Sequence, residues 1–429
     1  SLQRIKGVAT LIFQILKDAA VRTVEKLGSP SRFAEPMGLK LKGTLLLLFS
    51  LNFLLLCWFT WARWGNLLVD SYQSMYIFSA LARGAMLYRD HAYYYGPFAP
   101  YLHAALFRLF GEHLLLLYLA GLTSILATSW LIYLLLKALA FPRLAWVAAF
   151  IFLNLLAFNN YHAVRLFNFA LPYNFSSTYA ALFVLAAFLF QLKVDQAPTR
   201  FNLFTWSVVS ALVWFNRPEL GAIYTAIILF WFLYRFGIRS EPGQKVFKYF
   251  LTRLFVLILL VYGYFAYQTG TATLLFHNLF WFGHIPGLYD QNQAYITGFD
   301  PQQIRITFFV FGLRLFSLLP VVAAAMSTWS RENRAKIAFW LTPVGPLLFH
   351  GLVPVDQTFA DTFLITALGV YLLWKKPNIT PQRGPLLCLG VYSLFPLIRI
   401  MFRTTLKSYF FYLGTVSYTH LTLPTIYSV

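Results

Sequence analysis

Apolar runs long enough to cross a bilayer alternate along this chain with short polar, basic or aromatic breaks. Crossing the hydrocarbon core takes roughly 20 apolar residues as a helix, because within lipid every backbone amide and carbonyl must be paired inside the segment. Residues 44–62, 114–136, 250–268 and 306–328 meet that length outright. Shorter or proline-flanked runs at 145–159, 176–192, 201–215, 220–235, 337–353, 362–374 and 386–401 complete a predicted set of about eleven spans. The expected architecture is all-α, a polytopic integral membrane protein.

Composition agrees with the pattern. With 59% hydrophobic residues, 11% charged residues and a mean hydropathy of +0.64, the 429-residue chain has too little polar surface to cover a soluble globule. A net charge of +20 could suggest nucleic acid, but the charges are dispersed between apolar runs and form no single basic face. The positive-inside rule explains them instead. With the basic N-terminal arm in the cytoplasm and sides alternating, 23 of the 34 Lys and Arg residues fall inside, while eight of the fourteen acids fall outside. This alternation requires that residues 101–110, which carry His103 and Arg108, lie as an interfacial helix on the outer face and do not cross. The outer face is therefore the expected reactive one.

Residues 1–43 read as a basic cytoplasmic arm and 44–415 as the multi-span module, with its first outer loop at 63–113. The last stretch, 416–429 (VSYTHLTLPTIYSV), resembles the in-frame translation of a transposase-type sequencing adapter, so the natural chain is expected to continue past Thr415. The chain opens on Ser1, which points to a start upstream. Cys57 and Cys388 sit in apolar runs and read as small buried hydrophobes.

The first outer loop is the most informative stretch. From Val69 it reads VDSYQSMYIFSALARGAMLYRDHAYYYGPFAP. Asp70 falls just past the first span and before a helix-compatible stretch ending at Gly84. It can cap that helix, since an Asp at a helix start accepts free amides and complements the dipole. It can equally serve as a general base at the membrane surface, with desolvation raising its basicity. Asp90 is a second candidate acid. His91 and the tyrosine run Tyr93, Tyr94 and Tyr95 could stack on a sugar ring, bond its hydroxyls or line the path of a lipid phosphate; interfacial anchoring is the plain alternative.

Asp70 after the first span, the helix running out at Ala82, Arg83 and Gly84, then LYRD, YGP, an apolar segment and LFG at Leu109 to Gly111 resemble the first periplasmic loop of bacterial GT-C glycosyltransferases. The closest branch is the dolichyl-phosphate-mannose protein mannosyltransferase-like group. The resemblance implies a multi-span enzyme that takes a sugar from a polyprenyl-phosphate donor and passes it, with inversion, to a lipid, glycan or protein acceptor. The location it implies is a bacterial inner membrane, with the site facing the periplasm or exterior. It places the catalytic base on Asp70 and a second acid on Asp90.

On the same predicted side, Asn216-Arg217-Pro218-Glu219 forms a tight turn between two spans. An ionisable pair at membrane depth is a functional hypothesis by default, weighed against a self-satisfied ion pair. Arg217 could hold a donor phosphate bidentately, with Arg165 and Arg305 as further candidates, and Glu219 could orient Arg217 or contact sugar or acceptor. His162, His277 and His284 lack metal-ligand spacing, so no metal site is assigned, and a divalent metal is left open as the single cofactor question. No Gly-rich phosphate loop, serine triad or zincin motif is present. Asn174 and Asn378 open sequons that read as chance matches. The expected partners are the lipid-linked donor, its acceptor and membrane lipids, not nucleic acid. Two rival readings remain: a transporter or flippase of a lipid-linked precursor, which would need mid-span charges and two related halves, and a polymerase of lipid-linked saccharides.

Overall fold

The computed structural model describes residues 38–65, 70–138, 142–158, 168–236 and 241–278, together with 305, 309, 370, 384 and 387–394; for 70, 142–144, 155, 234–236, 241–243 and 276 it describes the backbone alone. Among the described residues the chain is helical and has no strand. The helices are α1 (Leu39–Thr60), α2 (Asp70–Ala82), α3 (Phe98–Phe110), α4 (Leu114–Ala138), α5 (Pro142–Ile151, running into a π turn at Phe152–Ala157), α6 (Phe175–Gln196), α7 (Arg200–Trp214), α8 (Pro218–Phe236), α9 (Glu241–Thr269) and α10 (Thr271–Asn278).

Four of them are long and apolar enough to cross a membrane: α1 with 22 residues, α4 with 25, α6 with 22 and the Gln244–Thr269 part of α9 with 26. The protein is thus a helical membrane protein. The predicted runs at 145–159, 201–215 and 220–235 also form helices, as α5, α7 and α8. The last four predicted spans lie outside the described residues, apart from a few positions of which 387–394 are helical.

α1 is apolar all round and leaves Leu47, Leu54, Trp58 and Phe59 exposed, as a helix facing hydrocarbon does. α6 is buried on most sides, and its free first-turn amides are met by Asn174, whose side-chain oxygen accepts from the Ser176 N–H at 2.7 Å. α7 starts on Thr199, which caps through the Asn202 N–H. The three-residue turn 197–199 makes α6 and α7 antiparallel neighbours, and α7 packs in turn on α8 and α9. α4 packs on α5 and α6. Its Gly121 lies against the Phe169 and Ala170 carbonyls, an approach that a Cβ would block.

Basic residues mark one end of this bundle: Lys40 and Lys42 open α1, Lys137 closes α4, Lys193 closes α6 and Arg200 opens α7. The opposite end gathers the loop after α1, the segment before α6, the α7–α8 turn and α10. An aromatic group of Trp61, Trp64 and Tyr118 with edge-on contacts of 5.2 to 5.9 Å sits there, like an interfacial belt. α3 has 13 residues, about 20 Å, too short to cross. It buries Ala99, His103, Ala104 and Phe107 against α2 and α6 and leaves Leu109 and Phe110 exposed, as expected for a helix lying in the interface.

Candidate functional site

The first loop folds back onto the α7–α8 turn, main chain to main chain. The Gly96 N–H donates to the Asn216 carbonyl at 2.9 Å, and the Phe98 N–H donates to the Phe215 carbonyl at 2.8 Å. A Cβ on residue 96 would run into the Phe215 carbonyl, so the glycine of YGP is what allows the approach. This join puts Tyr95 directly beneath Arg217, whose guanidinium carbon lies 4.3 Å from the ring centroid.

Arg217 is fully buried. Its Nε lies 3.0 Å from Glu219 Oε1, an ion pair whose angle falls short of a hydrogen bond, and neither Nη1 nor Nη2 has a hydrogen-bond partner among the described residues. Burial alone would push the guanidinium pKa down; the Glu219 carboxylate and the oxygens of Tyr173, Tyr95 and Tyr94 outweigh it, so the net shift is upward and the group stays cationic. A buried cation with two unused donor groups is suited to hold an oxyanion. Tyr392 from the 387–394 segment is close enough to interact electrostatically with both Glu219 and Arg217, and the Tyr262 hydroxyl donates to the Trp214 carbonyl at the end of α7.

The tyrosine run is built into this end of the bundle. Tyr93 bonds Ser176 at 3.2 Å and Asn174 at 3.3 Å, and Tyr95 shares a 2.9 Å bond with the Tyr173 hydroxyl. Burial pushes the Tyr93 phenol up to about 12 and the Tyr95 phenol well above the usual range, so both remain protonated. With 7% and 4% exposure, neither ring offers a free face to a sugar, unlike the sequence expectation; Tyr94 is half-buried. The α10 end secures the run from the other side. Asn278 Nδ2 lies 3.2, 3.1 and 3.0 Å from the Tyr93, Tyr94 and Tyr95 carbonyl oxygens, and His277 accepts the Tyr93 N–H through its carbonyl at 3.1 Å. His277 Nδ1 meets the Tyr88 carbonyl at 2.6 Å.

Asp70 is the first residue of α2, the place where an N-cap or a surface base was expected, and its backbone alone is described. One turn on, on the same helix face, Ser74 is buried and its hydroxyl donates to the Tyr173 carbonyl at 3.4 Å. Tyr173 in turn bonds Tyr95, over which the Arg217 guanidinium lies. The opening of α2 and the α7–α8 turn are therefore linked at the same end of the bundle.

Asp90 has a different task. Its carboxylate accepts from the Met86 N–H at 2.7 Å and pairs with Arg89 at 2.8 Å, which holds it down at about 2. These bonds tie the 86–91 loop, where Tyr88 adopts a left-handed φ of 67° and donates its N–H to the His91 carbonyl. So acidic a carboxylate is a poor proton acceptor. The His91 ring sits edge-on to Tyr76 at 5.4 Å. Arg305 is exposed, with no described contact to Arg217, and Arg165 lies outside the described residues, as do His162 and His284. Among the described residues no three His, Cys, Asp or Glu side chains converge as metal ligands. Both cysteines are free.

No family model, curated protein or solved structure matches the chain.

Tyr173, Tyr262, Asn278 and Tyr392 were not singled out in the sequence. Asn278 follows His277 within a run that shows no periodic or motif signal. Asn174, read as a chance sequon, is both the α6 cap and a Tyr93 partner. Its place just before an apolar run was the available signal.

Proposed function

We propose that this protein is a membrane glycosyltransferase of GT-C type, with about eleven spans, that transfers a sugar from a polyprenyl-phosphate donor to a lipid, glycan or protein acceptor at the outer face. The observation that carries the reading is the buried guanidinium of Arg217, whose two Nη groups have no hydrogen-bond partner among the described residues, beneath the loop that follows α1. A departing polyprenyl phosphate develops charge where Arg217 could neutralise it, and a fixed cation in a dry site does so without reorganisation. Glu219 aims the guanidinium through Nε and leaves the Nη pair facing the leaving group. Asp70 removes the proton from the acceptor as that acceptor attacks the anomeric carbon, and the C–O bond to the phosphate breaks as the new glycosidic bond forms. The charge pattern also favours chemistry over transport, because Arg217 and Glu219 sit at helix ends and not at mid-span.

The test is to incubate the purified full-length protein with a panel of polyprenyl-phosphate sugars and measure released polyprenyl phosphate. Release with at least one donor is expected, lost in Asp70→Asn while the protein still inserts and folds. No release from any donor, or near-normal release by Asp70→Asn, would remove the mechanism.

A further inference from the structure

The basic end of the bundle holds a second cationic arrangement that the reading above does not use. Arg253 lies within the Gln244–Thr269 span, about two and a half turns from its start. Its guanidinium carbon is 3.8 Å from the Tyr249 ring centroid and 5.5 Å from that of Phe204, so rings from α9 and α7 flank it. No carboxylate pairs with it among the described residues. Tyr249 and Lys245 precede Arg253 by one and two turns on the same face of α9, and Arg200 precedes Phe204 by one turn on α7. α7 and α9 pack together. Arg253, Lys245 and Arg200 thus border one groove between two helices, with Lys248 beside it. The groove opens outward: Phe204 is 49% and Phe201 69% exposed, and Arg200, Lys245 and Lys248 are exposed. Nearby acids are Asp195, which interacts electrostatically with Cys388, and Glu241, of which only the backbone is described.

Topology alone needs basic residues near the ends of spans, as Arg253 is, and it does not need the guanidinium to be held between two rings. A charge within a span calls for a partner, and the rings hold this one in place by cation–π contact while leaving its N–H edges free for an oxyanion. At that depth the available oxyanion is a lipid phosphate. Basic grooves between transmembrane helices at the positive end are suited to anionic headgroups.

We infer that Arg253, Lys245 and Arg200 bind the phosphate headgroup of an anionic phospholipid, with Phe201 and Phe204 against its acyl chains. The inference stands independently of the transferase reading.

The test is native mass spectrometry of the purified full-length protein equilibrated with phosphatidylglycerol or phosphatidylcholine. Selective retention of phosphatidylglycerol is expected, with affinity falling about fivefold for each cation removed in Arg253→Gln, Lys245→Gln or Arg200→Gln. Tyr249→Leu with Phe204→Leu should weaken retention while every charge remains. Since Lys245 and Arg200 are exposed, their variants keep the test open if Arg253→Gln fails to fold. Equal retention of phosphatidylcholine, or unchanged phosphatidylglycerol affinity in the cation variants, would overturn the inference. So would full displacement by millimolar inorganic phosphate, which would mark a site for free phosphate.

Discussion

Arg217 lies over Tyr95, guanidinium carbon to ring centroid 4.3 Å, with Glu219 at its Nε and its two Nη groups unused among the described residues. Tyr95 belongs to the first loop and Arg217 to a turn more than a hundred residues later. Their contact joins the two stretches singled out in the sequence, and the predictions below concern what holds it.

The pair Arg217 and Glu219 should respond unequally to deletion of either partner. Glu219→Gln leaves a fully buried guanidinium without its carboxylate and should cost stability near the lower end of about 3–5 kcal/mol, since Glu219 itself keeps 30% exposure. Arg217→Lys keeps the charge but loses the two-pronged donor set, so the transfer rate should drop about 100-fold or more with a smaller loss of stability. Thermal unfolding in detergent and release of polyprenyl phosphate separate the two effects.

Gly96→Ala should destabilise by about 2 kcal/mol, since the added methyl meets the Phe215 main chain, which cannot step aside without breaking the two bonds to the loop. Gly43→Ala, in α1 with nothing within 4 Å of the new Cβ, is the matched control and should be neutral or slightly stabilising. The comparison is of unfolding midpoints in one detergent.

Asn278→Ala removes the amide that faces the Tyr93, Tyr94 and Tyr95 carbonyls, at a cost of about 1–3 kcal/mol for the unsatisfied acceptors. Asn278→Asp should be worse, as it turns a carboxylate toward three carbonyl oxygens. Amide hydrogen exchange across residues 93–98 should quicken in both variants and stay unchanged over α5.

His103 gives the protein an acid-sensitive joint. It is buried on α3, stacked on Phe78 at 4.7 Å and meeting the Tyr179 hydroxyl through Nε2 at 3.1 Å, and desolvation pulls it down to about 3. In the unfolded chain it takes a proton near 6.5, so there the unfolded state binds more protons. The contribution is complete above about 6.5 and shrinks as pH falls toward about 3, by up to about 1.4 kcal/mol per pH unit. His103→Phe, which keeps the ring stack, should flatten the acid limb of the melting temperature against pH.

The helices were legible because burial in lipid leaves long apolar runs as their trace. The runs at 114–136 and 176–192 return as α4 and α6, within a few residues at each end. The ends shifted where caps decide them: Asn174 and Thr199 start α6 and α7, which hydropathy does not register. The stretch 101–110, which the charge alternation requires to stay on the outer face, falls within the 13-residue helix α3. At the site, residue types were readable but contacts were not. The YYYGP run and the NRPE turn each stood out, yet nothing in either shows that Gly96 would seat against Phe215. The burial of Tyr93 and Tyr95 is not legible in the run itself, because their partners, Tyr173, Asn174 and Ser176, come from the start of α6 and the two residues before it, some eighty residues on. Asp90 looked like a spare acid for a similar reason, since a carboxylate consumed by the amide four residues back has the same letter as a free one.

The seam between Gly96 and the Phe215–Asn216 peptide uses no side chain on the glycine's part. Any side chain at 96 would part the loop from the α7–α8 turn, and Tyr95 would leave its place against Arg217. The register between the first loop and the α7–α8 turn is thus set by a single missing methyl.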